Sequence, residues 1–167
     1  MTTRRPEIGE QIVVVGVRAS NQHVPYDEHY AFDIVDGDIR FGFDVFASVG
    51  AVRNYHPDGR SPMSSGPMLE VECLTPGGLS GGPVFDKYGR VVGVLCSSMD
   101  GAPPISYVTC LWPTIGQPIS PAFLQGSLPE HFCLLDLPPE FCGIDGRELL
   151  KITRYPDSEL IAVSLAD

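Results

Sequence analysis

No apolar run in this sequence is long enough to span a bilayer. The candidate nearest the N-terminus is residues 12–15 plus Val17, preceded by Pro6, Glu7 and Glu10. It is also too short for the core of a secretory leader, so the chain reads as cytoplasmic. Cysteine is sparse: five residues, an odd number, with no C-x-x-C spacing. Zinc sites and disulfide frameworks want closer or paired spacings, so the expectation is reduced, mostly buried thiols, with no metal and no cofactor. Positive charge is scarce too. Eleven basic side chains against 21 acidic ones leave a net charge of −10. That balance repels phosphate backbones and anionic lipid, which removes nucleic acid and membrane from the expected partners. Long segments of 3.6-residue periodicity and internal repeats are absent as well.

Glycine and proline are plentiful instead, 18 and 16 of 167 residues, beside 43% hydrophobic residues. This is the composition of a turn-rich globular domain rather than of a disordered chain. Short β-prone runs at 12–18, 30–35, 39–46, 45–55, 68–74, 83–86, 90–96 and 106–112 are separated by turn residues. Asp36-Gly37-Asp38 is a hairpin signal, because glycine accepts the positive φ of a tight primed turn. Evenly spaced strands without helices predict an antiparallel barrel or sandwich. The acidic string Asp33, Asp36, Asp38 and Asp44 is not a calcium loop, since Val35 and Arg40 occupy positions where oxygen ligands belong. After Trp112 the character changes. Ser120-Pro121 suits a helix start, 148–165 reads as a hairpin around residues 155–158, and 147–153 could equally be a helical turn.

The segment 75–86, TPGGLSGGPVFD, carries the chemistry. A serine attacking a carbonyl needs backbone N–H donors aimed at the developing oxyanion, and glycines let the chain turn tightly enough to present them. The plain alternative is a glycine-rich hairpin with an incidental serine. Residues 78–82 also satisfy the G-x-S-x-G elbow of α/β-hydrolases. That elbow needs a helix after the serine, whereas Pro83 follows at three residues and 84–96 reads as a hairpin.

The residues 76–98 resemble the nucleophile loop, hairpin and following strand of the trypsin-like (chymotrypsin-clan) serine peptidases, and specifically of their C-terminal barrel. Fainter similarity extends over 6–115. The resemblance implies a mainly β fold: a single six-stranded antiparallel Greek-key barrel over 6–115, with 116–167 as a C-terminal extension packed on it. It further implies Ser80 as nucleophile and the N–H groups of Gly78 and Ser80 as the oxyanion hole. Cys96, Ser97 and Ser98 match the strand that pairs with an extended substrate. Leu74, six residues before the serine, falls where the family carries the base of the specificity pocket. An apolar side chain there implies a hydrophobic P1 residue rather than Lys or Arg.

The family's histidine and aspartate are unmatched: no histidine stands in a T-A-A-H-C-like setting and no aspartate in a D-x-A-L-like strand. His23, His29, His56 and His131 all fall in loop-like or tail surroundings. The first expectation is therefore a serine endopeptidase half whose His and Asp come from a missing or separate N-terminal barrel. The second is a catalytically inactive relative that binds peptides, and a third is an ester hydrolase pairing Ser80 with His56 or His131. The expected partner is a polypeptide substrate or peptide ligand. A wall that evolved to be covered would be filled by a separate barrel, by self-association or by the tail.

Overall fold

The computed structural model describes residues 1–19, 32–35, 38–41, 43–119, 132–155 and 161–166. Among them the strands are β1 (Gln11–Ala19), β2 (Phe32–Val35), β3 (Asp38–Phe41), β4 (Phe43–His56), β5 (Gly59–Ser61), β6 (Ser64–Ser65), β7 (Met68–Glu72), β8 (Pro83–Phe85), β9 (Val91–Met99), β10 (Ile105–Cys110), β11 (Leu150–Arg154) and β12 (Ile161–Leu165). Six of these close into a barrel in the order β1-β4-β7-β10-β9-β8. The first three run as a meander. The last three return in reverse order, and β8 shuts the barrel on β1 through Val13↔Phe85 and Val14↔Val84. This is the six-stranded antiparallel Greek-key barrel expected from the sequence.

Period-two alternation places the core. Ile12 and Val14 of β1 meet Val52, Leu69, Val71, Val84, Leu95 and Val108 inside the barrel, all at most 3% exposed. Val13, Val15 and Val17 point the other way, opposite Val49, Ala47 and Val45 of β4. Val17, Val45 and Val49 are exposed. β4 is one strand of 14 residues where the sequence suggested overlapping runs. Gly50 does not break it. A Cβ there would lie 2.5 Å from Cys73 Cβ and from the Glu72 carbonyl, so this glycine lets the chain after β7 approach.

A second, smaller core of Ile115, Cys133 and Leu135 lies outside the barrel, with Leu150, Ile161 and Val163 against it. Trp112 packs on both cores. Arg147–Leu149 is a turn of 3-10 helix that runs directly into β11, so both sequence readings of this stretch hold in part. The β11–β12 pair is antiparallel, as the expected terminal hairpin requires. β2 and β3 pair with Val35 opposite Asp38, although the Asp36-Gly37 turn itself lies outside the described residues. The Ser120-Pro121 helix start also lies outside them. No helix among the described residues is long and apolar enough to cross a membrane.

Candidate active site

The segment after β7 is fixed before it turns. Ser106 Oγ donates to the Cys73 carbonyl at 2.8 Å, which uses its one proton. Thr75 Oγ must then be the donor in its 2.8 Å bond to Ser106 Oγ. Both hydroxyls are buried, so the pair ties the start of the glycine-rich segment to β10. Their partners are 31 residues apart in the chain, and nothing in the sequence signals the link.

Leu79 then plunges into the barrel core at 1% exposure. Room for it comes from Gly16 on β1, where an added Cβ would lie 2.7 Å from Leu79 Cγ. Burying the residue between Gly78 and Ser80 lifts both neighbours to the surface, and Ser80 is exposed. Gly78 and Gly81 hold φ of 95° and 88°, left-handed values that a side chain resists. The Gly82 N–H donates to the Leu79 carbonyl at 3.0 Å and closes the turn. The Gly81 N–H donates to the Leu95 carbonyl at 2.7 Å, while the Leu95 N–H donates to the Gly82 carbonyl at 2.9 Å. These two bonds bolt the turn to β9. On its other side, a Cβ at Gly82 would fall 2.2 Å from the Val15 carbonyl, so only glycine fits against β1.

The amides of Gly78 and Ser80 and the Ser80 hydroxyl form no hydrogen bond among the described residues. A strand, β8, follows the serine rather than a helix, which removes the α/β-hydrolase elbow. Cys96, Ser97 and Ser98 lie on β9 just beyond the Leu95 anchor. Pairing of β9 with β10 steps from Val108↔Leu95 to Tyr107↔Ser97, which makes Cys96 the extra residue of a bulge. β8 pairs with β9 only as far as Val94, so at 96–99 the side of β9 away from β10 has no partner strand among the described residues. Cys96 and Ser98 are exposed and Ser97 half-buried. Leu74 stands 63% exposed between the Cys73 anchor and Thr75.

His56, at the end of β4, faces Glu70: its Nε2 lies 3.1 Å from Glu70 Oε2, and a carboxylate can only accept, so Nε2 carries the proton. That ring is not bonded to Ser80. His23, His29 and His131 lie outside the described residues. The structure thus brings Ser80, Gly78 and the 96–98 strand together around one turn and leaves His56 in a separate pair. The chain matches the family model described as a trypsin-like peptidase domain over residues 2–94, more than half its length. No curated protein matches it.

Proposed function

Because the chain belongs to the trypsin-like peptidase domain family, we propose that it is the nucleophile-bearing barrel of a serine endopeptidase whose proton acceptor comes from a second barrel. The supporting observation is the turn at 78–82. It presents an exposed serine whose own amide and that of Gly78 are uncommitted, and it is hydrogen-bonded to a strand whose edge is open among the described residues. In the completed site Ser80 Oγ attacks the scissile carbonyl carbon and passes its proton to an imidazole of the other barrel. The Gly78 and Ser80 N–H groups take up the oxyanion, and the C–N bond breaks as that proton moves to the departing amine. Water then hydrolyses the ester on Ser80. The substrate pairs by main-chain hydrogen bonds with 96–98, and exposed Leu74 offers an apolar surface to P1. The exposed valine face of β1 and β4 suits the wall that a second barrel or a second copy would cover. The five free thiols agree with a cytoplasmic setting.

The His56–Glu70 pair favours a second reading. With its described imidazole engaged elsewhere, the barrel alone works as a peptide-binding module. A fluorophosphonate probe separates the two. Labelling that disappears in Ser80→Ala supports the assembled catalytic site. Unlabelled protein that binds extended apolar peptides supports the module. Neither labelling nor peptide binding overturns both, and cleavage confined to basic P1 residues overturns the role of Leu74.

A further inference from the structure

The strands β5 and β6 form a short hairpin that exists because residue 59 is glycine. Its φ is 82°, and a Cβ there would sit 2.0 Å from the Ser64 carbonyl. The hairpin turns Arg60 back over the barrel. The guanidinium carbon lies 3.6 Å from the centroid of the Tyr107 ring, and Nη2 approaches Met99 Sδ at 3.8 Å. Arg4, Arg53, Arg90 and Arg154 each face a carboxylate, whereas Arg60 has none within ion-pair distance among the described residues. An arginine held over an aromatic ring, its fork engaged only by a weak thioether acceptor among the described residues, is a preorganised receptor for a carboxylate.

Its position gives that receptor a use. Tyr107 is directly opposite Ser97 on β9 and Glu70 on β7, so these three side chains share the outer face of the barrel. Glu70, the carboxylate of that row, is engaged by His56. A peptide strand added to the open edge of β9 would lie about 4.8 Å beyond it. Every second side chain of it falls on the same face as Ser97, and one of these lies beside that serine. Serine is short, so a longer side chain passes over it toward Arg60 and Met99.

We propose that Arg60 receives a carboxylate of the bound peptide and makes the site selective for an acid at the position lying over Ser97. The inference rests on the reading of β9 as the peptide-pairing strand. The test is fluorescence polarisation with extended peptides, acetylated and amidated, carrying a fixed leucine and a Glu or Gln walked along the chain. At one position Glu should bind about ten- to a hundredfold tighter than Gln, the range of a charged hydrogen-bonded contact. Arg60→Gln should abolish that preference and leave the Gln peptide unchanged, while Arg60→Lys should keep part of it. Arg60 is exposed on its hairpin, so these variants keep the core intact. A free-acid series decides the source: free acids that bind tighter than their amides while Glu and Gln bind alike would assign the carboxylate to the peptide's C-terminus. Equal binding of Glu and Gln peptides in both series, with no gain for the free acids, overturns the inference and leaves the pairing strand standing. Failure of every peptide to bind overturns both.

Discussion

Four glycines within six residues do different work in the turn around Ser80, and substitution by alanine separates them. Gly77 has neither a positive φ nor any atom within 4 Å of an added Cβ. Gly77→Ala should therefore be neutral, within about 0.5 kcal/mol. Gly78 and Gly81 have space around them, so alanine there costs the left-handed backbone alone, about 1–2 kcal/mol. Gly82→Ala collides with the carbonyls of Val15 and Leu79 at 2.2 and 2.9 Å. It should cost the most, about 3 kcal/mol, by prising the turn from β1. Urea midpoints of the four variants should fall in that order. A neutral Gly82→Ala would mean that the turn does not rest on β1. The free amide at Gly78 makes its variant informative in a second way, because it reorients a donor of the proposed oxyanion hole without opening the barrel.

At the scale of elements, β9 joins the turn around Ser80 to the proposed peptide edge, and its bulge puts one reactive group there. Cys96 is exposed, whereas Cys73, Cys110, Cys133 and Cys142 are buried. Burial pushes the Cys73 and Cys133 thiols up, and Cys110 up to about 12, which suppresses their thiolates. Iodoacetamide at mild alkaline pH should therefore modify one cysteine of the native protein and all five after denaturation. The adduct at Cys96 should also abolish peptide binding on the adjoining edge. Modification of two or more thiols before unfolding would contradict the packing described, and full peptide affinity after modification would move the binding edge away from β9. Much of this element was legible in sequence. Turn chemistry on both sides marked the strand, and G-x-S-G-G-P is contiguous, so its geometry is encoded locally. What escaped reading is the set of contacts made across the barrel. Thr75–Ser106 and Arg60–Tyr107 join segments that only the closed sheet brings together. The hairpin of β5 and β6 was hidden in a stretch that composition alone describes as loop, and the buried thiols were expected from spacing without any indication of which one would stay outside.

The N-terminal segment, the barrel and the extension meet at one charged cluster, and that cluster shapes the response of the molecule to pH. Thr2 donates its N–H to Val91 of β9 and bridges Asp145 of the extension. Arg4 reaches both Glu10 and Asp86, and Arg90 joins Asp86 to Asp145. Asp86 is fully buried at its side chain. Burial pushes its carboxyl up, but the N–H groups of Arg90 and Tyr88 and the guanidinium groups of Arg90 and Arg4 outweigh this and hold it below 3.8. Glu10 is held below 4.5 chiefly by its hydrogen bond from Arg4. Asp136, in the extension, is also lowered: burial opposes, yet the Cys133 N–H, the Cys133 thiol and Arg154 prevail. A carboxylate depressed in the fold contributes stability that is complete above its unfolded pKa and is lost as pH falls through the folded value. Stability should hence be level from neutrality to about pH 5 and decline below about pH 4. On the alkaline side the sign reverses. Cys110, raised by burial from 9.0 to about 12, and Tyr55, raised mainly by burial above 10.0, stabilise the fold fully below their unfolded values and lose that contribution as pH climbs through the folded ones. Thermal melting across pH 2–11, followed by the emission of Trp112 because that side chain touches both cores, measures the two limbs together. Asp86→Asn should lower stability at neutral pH by about 1–3 kcal/mol, since it removes the buried carboxylate shared by two half-buried guanidinium groups, leaving each with one carboxylate partner, and should flatten the acid limb. Cys110→Ala should flatten the alkaline one. An acid limb unchanged in Asp86→Asn would show that the junction of the N-terminal segment and the Asp145 loop with β8 and β9 is not what acid dissolves.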